Sequence, residues 1–213
     1  MKVMNNNIPA MTPPVVHDYL RGIGKQWTGQ GVAMELGCWF GATAVPLLEG
    51  LVEAGYDRPF YAFDRWTANA EEAMKAQKAG VFVKSGQDLY PMFRNNVRKV
   101  FTGNLVAVQG HIPESLHKFS GEAIEICLFD APKREPIFSK SVQLLHKHWI
   151  PGVTILGLLD YYFYKVHRGL KREWFLAPVE FMQKNRGCFT LLTHWPDQCA
   201  CAFFRYDKPL KSI

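Results

Sequence analysis

Apolar positions along this chain switch repeatedly between a helical and an extended period. Val15, Val16, Tyr19, Leu20 and Ile23 recur at helical spacing over residues 14–25, closed by Gly24. Val32, Met34 and Leu36, with Ala33 between, read as a short buried strand. It runs through a glycine turn into an apolar helix of Ala44, Val45, Leu47, Leu48, Leu51 and Val52 that ends near Gly55. A second strand is expected over 58–64, a polar, alanine-rich helix over 68–79, another helix over 88–100, and strands over 105–108 and 124–129. A helix over 137–148, a strongly apolar strand over 153–159 introduced by Pro151-Gly152, and a helical region over 162–181 follow. The chain closes with strands over 188–194 and 199–206, separated by Trp195-Pro196-Asp197-Gln198. Five strands alternating with helices, then a hairpin, predict an α/β fold with a mostly parallel seven-stranded sheet, helices on both faces and an antiparallel C-terminal hairpin.

No repeat or linker divides the 213 residues, so residues 14–213 are expected to form one domain behind a flexible segment 1–13. The composition, 48% hydrophobic and 21% charged, belongs to a globular protein rather than a disordered one. No apolar run approaches the ~20 residues that span a bilayer, and residues 1–14 lack the order of a signal peptide, which points to the cytoplasm and away from membranes. Five cysteines (Cys38, Cys127, Cys188, Cys199, Cys201) form no C-x-x-C pair, so neither zinc nor disulfides are implied. The formal charge of +6 suits an anionic substrate or a nucleic acid as readily as a lysine-rich surface. It concentrates in residues 165–172, where basic residues interleave with Tyr161, Tyr162, Tyr164 and Trp174.

The turn after the first strand carries the chemistry. A dinucleotide fingerprint requires G-x-G-x-x-G, with a pyrophosphate on the helix N-terminus. Here only Gly37 and Gly41 are present, with Glu35 two residues before the first and Thr43 after the second. This E-x-G-x-x-x-G pattern resembles motif I of class I S-adenosylmethionine-dependent methyltransferases. The resemblance extends over roughly residues 32–206, through Asp64, Asp130 and Pro151-Gly152. It implies a Rossmann-like methyltransferase fold in which Asp64, followed by Arg65, accepts hydrogen bonds from the ribose hydroxyls. It also implies cofactor contacts from Glu35, Gly37, Cys38, Gly41, Thr43 and Asp130, and from Gly110 and His111 in a segment similar to one that flanks adenine. Trp66 is a candidate wall for adenine or substrate.

Within that class the chain looks closest to small-molecule O-methyltransferases of the catechol and macrocin types. The resemblance implies a sugar or phenolic acceptor, with Asp130, Lys133 and Asp160 as the acceptor-side catalytic candidates. Asp130 and Asp160 match metal positions for Mg²⁺, and Lys133 matches a lysine that takes the acceptor's proton. Two positions depart from that pattern: Pro132 stands where a second acid follows at strand four, and Tyr161 where an acid or amide follows at strand five. A nucleic-acid methyltransferase using residues 165–172, and a non-catalytic cofactor-binding protein of the same fold, are the alternative readings; a homo-oligomer is compatible with each.

Overall fold

A strand covered on both faces shows no alternation of buried and exposed positions, and Val32–Leu36, apolar but for Glu35, is buried along its whole length. The computed structural model describes residues 8–166 and 172–211. Strand β1 (Val32–Leu36) lies centrally in a seven-stranded sheet with β2 (Phe60–Asp64), β3 (Leu105–Gln109), β4 (Ile124–Phe129), β5 (Ile155–Leu158), β6 (Phe189–Trp195) and β7 (Cys201–Tyr206). Their order is β3-β2-β1-β4-β5-β7-β6. Pairings among β1 to β5 are parallel, and β7 runs antiparallel to both β5 and β6. The expected mostly parallel sheet with a closing antiparallel hairpin is what the chain forms. β2 and β3 extend the sheet on one side of β1, and β4 and β5 on the other, so the order reverses between β1 and β4. Open sheets of this kind receive ligands at the carboxyl ends of the strands beside such a reversal.

The described residues fall into two compact units interleaved along the chain. One takes Trp27–Gly37, Tyr56–Arg65 and the chain from Gly103 onward, and holds all seven strands. Its core gathers Leu36, Phe63, Phe129, Phe138, Trp149 and Leu158 around the sheet. Glu125, the one acid in β4, is buried and accepts backbone N–H groups from Thr28 (2.5 Å), Gln30 (2.9 Å) and Gly31 (3.1 Å). These charge-assisted bonds offset the burial of its carboxylate and fix the loop that feeds β1. Helices α5 (Ile137–Leu145), α6 (Phe163–Val166) and α7 (Ala177–Lys184) belong to this unit. The helical region expected over 162–181 is interrupted among the described residues at Leu176, between a 3₁₀ turn over Arg172–Phe175 and α7. Pro178 opens α7 at a position where its missing N–H is harmless. Of the basic segment, residues 167–171 lie outside the described residues, as do residues 1–7 of the expected flexible segment.

The other unit takes residues 8–26 with Cys38–Gly55 and Trp66–Thr102, and is built of helices α1 (Pro14–Lys25), α2 (Ala44–Glu53), α3 (Ala70–Lys78) and α4 (Tyr90–Arg98). A capping box, Asn69 with Glu72, starts α3. α1 and α2 pack through glycines: a methyl group on Gly50 would lie 2.1 Å from the Arg21 carbonyl, and one on Gly24 2.5 Å from that of Leu47. Arg21 donates to Glu49 Oε2 from Nε (2.9 Å) and Nη2 (2.6 Å) at the same crossing. Arg21 is 35% exposed, so this pair adds ~1 kcal/mol at most and packing dominates. No helix among the described residues is long and apolar enough to cross a membrane.

Backbone cannot step aside for a new methyl group. Gly50→Ala should therefore cost about 3 kcal/mol in denaturant unfolding. Gly22→Ala, at a helical position with open space, should change stability by less than ~1 kcal/mol, in the stabilising direction.

Candidate functional site

The carboxyl ends of β1, β2, β3 and β4 are tied together by backbone hydrogen bonds. The Leu36 carbonyl accepts from Asp130 N (2.9 Å) and Ala131 N (2.8 Å); Gly37 N donates to Phe63 O (2.8 Å), and Gly110 N to Asp64 O (2.9 Å). Gly37 takes φ +96°, and a side chain there would lie 2.6 Å from Ala131 N. Both conformation and space demand glycine, and the atoms that demand it belong to the loop after β4. Asp64 and Gln109 are register partners at the ends of β2 and β3, and Gln109 Nε2 donates to the Arg65 carbonyl (3.1 Å). Glu35 is fully buried, Asp64, Arg65 and Asp130 are half-buried, and His111 is exposed. The sheet unit thus brings Glu35, Gly37, Asp64, Arg65, Gly110 and Asp130 to one end of the sheet.

Cys38, Gly41 and Thr43 belong to the helical unit, and all three are buried. Gly41 has φ +87°, and a side chain there would meet the Phe93 ring at 3.2 Å. Helix α4 therefore occupies the space that Gly41 leaves open. Trp66 sits in the same core rather than as an exposed wall: it is 1% exposed, its ring lies 4.9 Å from that of Phe93, and its Nε1 donates to the Trp39 carbonyl (3.2 Å). Both tryptophans take φ +44°, a conformation L-residues seldom adopt.

The acceptor-side candidates meet in the sheet unit. Phe129 and Leu158 are register partners in β4 and β5, and Leu159 N donates to the Phe129 carbonyl (3.0 Å), so Asp130 and Asp160 leave adjacent strand ends. Lys133 returns through a turn, its N donating to Ala131 O (2.9 Å), and its ammonium pairs with Asp160 Oδ2. The same Nζ lies 5.6 Å from the Phe163 ring centre, within cation–π range. Among the described residues no group of three or more His, Cys, Asp or Glu is placed to hold a metal ion. A carboxylate already engaged by an ammonium, with Pro132 and Tyr161 beside the two aspartates, is a donor set that does not fit Mg²⁺ and its octahedral oxygen shell.

Sequence reasoning left out two neighbours of this cluster. Phe163 backs Lys133, and Cys201 lies near both aspartates. Burial first, then Cys199 and the Asp130 and Asp160 carboxylates, push the Cys201 thiol well above its ordinary range. The pairing of Leu158 with Ala202 sets Cys201 beside the end of β5, a consequence of the hairpin register that no local pattern announces. Tyr161 packs its ring against Tyr162 and Phe204.

No protein-family model matches the chain, and no curated protein matches it. Solved structures do. NovP, an O-methyltransferase, superposes with a TM-score of 0.61 at 16% identity, covering 90% of this chain and 79% of its own. The chain has the class I methyltransferase fold. PaMTH1, a Podospora anserina methyltransferase solved with S-adenosylhomocysteine, gives 0.61 at 12% identity over 92% of this chain and 80% of its own. CalS11, a TDP-rhamnose 3′-O-methyltransferase of calicheamicin biosynthesis, gives 0.53 at 19% identity over 91% and 78%. At such identities the likeness is one of fold.

Burial holds the Tyr161 hydroxyl protonated, pushing its pKa from the usual 10 up to about 12. An unfolded chain releases that proton near 10, so the stability this group contributes is present below pH 10 and is lost as pH rises toward 12. Alkaline titration by phenolate absorbance should show one late-ionising tyrosine fewer in Tyr161→Phe, with a shallower fall in stability over the same window.

Proposed function

We propose that the chain binds S-adenosylmethionine and transfers its methyl group to a hydroxyl oxygen of a small molecule such as a sugar or a phenol. One observation carries the reading: the half-buried Asp64 carboxylate ends β2, one strand away from the strand-order reversal, in a sheet whose order and hairpin match the fold. A carboxylate there suits two ribose hydroxyls, because each hydroxyl can donate a hydrogen bond and an ionised carboxylate only accepts. Glu35, Gly37, Arg65, Gly110, His111 and Asp130 complete the cofactor side within the sheet unit. The motif gives Cys38, Gly41 and Thr43 the same assignment from sequence. The donor set fits the cofactor: acids face a sulfonium-bearing nucleoside, and no phosphate needs cradling.

The bound cofactor would supply an activated methyl group, so the protein's task is in-line placement of the acceptor oxygen. Asp130, Asp160 and Lys133 are the groups we assign to the acceptor side. Asp130 and Asp160 orient its hydroxyl through hydrogen bonds, and Lys133, having first released one proton of its ammonium to solvent, receives the hydroxyl's proton as the neutral amine.

Titration calorimetry should show saturable S-adenosylmethionine binding and none of NAD; the reverse result would remove the reading. Asp64→Ala should weaken S-adenosylmethionine about tenfold or more, the loss expected for hydrogen bonds to a charged group. An unchanged affinity would take Asp64 out of the ribose role.

A further inference from the structure

The loops after β4 and β5 are built around an internal cation. Asp130 and Asp160 leave neighbouring strands whose last residues, Phe129 and Leu158, pair. Two carboxylates at the end of a sheet repel each other and gain from a positive charge between their loops. Here that charge is Lys133, delivered by the turn at Ala131-Pro132 and paired with Asp160 Oδ2. The ammonium is held from a second side by the Phe163 ring, which the turn following Asp160 positions through Phe163 N donating to Asp160 O (3.0 Å). Lys133 and Asp160 are both half-buried, with side chains 34% and 17% exposed, so the pair is partly withdrawn from bulk water. A divalent ion would compete for the same Asp160 oxygen against a tethered cation, and would then sit beside that cation's like charge.

We propose that the Lys133 ammonium occupies the place of a divalent metal and excludes Mg²⁺ from Asp130 and Asp160. This rests on assigning the ends of β4 and β5 to the acceptor side. It narrows the acceptor class: chelation by two vicinal hydroxyls brings no advantage where no metal has open coordination positions. The acceptor is then recognised by hydrogen bonds rather than by chelation to a metal.

Mn²⁺ serves as the probe, because its electron paramagnetic resonance signal reports free ion directly and needs no turnover. The wild-type protein should show no saturable binding that depends on Asp160. Lys133→Ala should gain a Mn²⁺ site about tenfold or more tighter than any wild-type binding, since removing a competing charge frees the ligand. Adding Asp160→Asn should abolish the gained site. Lys133→Met, which keeps the apolar stem over Phe163, repeats the test should the alanine variant fail to fold. Wild-type binding of Mn²⁺ that Asp160→Asn removes would overturn the proposal, and so would a folded Lys133 variant that gains no site. Failure of wild-type protein to bind S-adenosylmethionine would remove the cofactor reading while leaving the Mn²⁺ result to stand.

Discussion

Much of this structure depends on one carbonyl oxygen. Leu36, the last residue of β1, accepts the N–H groups of both Asp130 and Ala131, and so ties the loop after β4 to the glycine turn after β1. A side chain at Gly37 would drive against Ala131 and break that tie. Because β1 and β4 flank the reversal in strand order, this bond sets the height at which Asp130 leaves the sheet. Gly37 N to Phe63 O and Gly110 N to Asp64 O extend the same lacing across β2 and β3. Backbone groups at the ends of four strands thus fix a set of polar side chains without relying on those side chains to hold themselves in place.

The parts of the fold legible in the sequence were those whose signals are local. The helix over 14–25 and the strand over 124–129 form as expected, the first on strong helical periodicity and the second on an unbroken apolar run. The strand expected over 153–159 shortens to Ile155–Leu158 because Val153 and Thr154 are drawn into a turn. There Thr154 Oγ1 accepts from Ile150 N and donates to Ile124 O. The strand expected from Cys199 begins at Cys201, since Ala200 takes φ +60°, which a continuous strand does not allow. The helix expected over 137–148 ends as α-helix at Leu145 and tightens to a 3₁₀ turn over His146–His148.

Legibility of the candidate site follows the same division. Strand-end positions such as Asp64, Asp130 and Asp160 can be counted from elements, and the sheet brings the last two to adjacent ends. What occupies the space around a residue cannot be counted. Gly41 faces Phe93, and Trp66 is sealed between Tyr90 and Phe93, because α4 packs there through contacts distant in sequence. The pairing of Lys133 with Asp160 likewise joins side chains from two different loops, a choice made by three-dimensional proximity alone.

The position of β1 has a consequence during synthesis. Val32–Leu36 is buried on both faces, yet one of its two neighbours, β4, is made only after β2, β3 and all four helices of the other unit. Until Ile124–Phe129 emerges, the nascent sheet exposes a hydrophobic edge at its centre with unpaired backbone groups, a surface that invites pairing with other chains. Truncated products ending before β4 are therefore the forms of this protein most prone to aggregate or to engage chaperones.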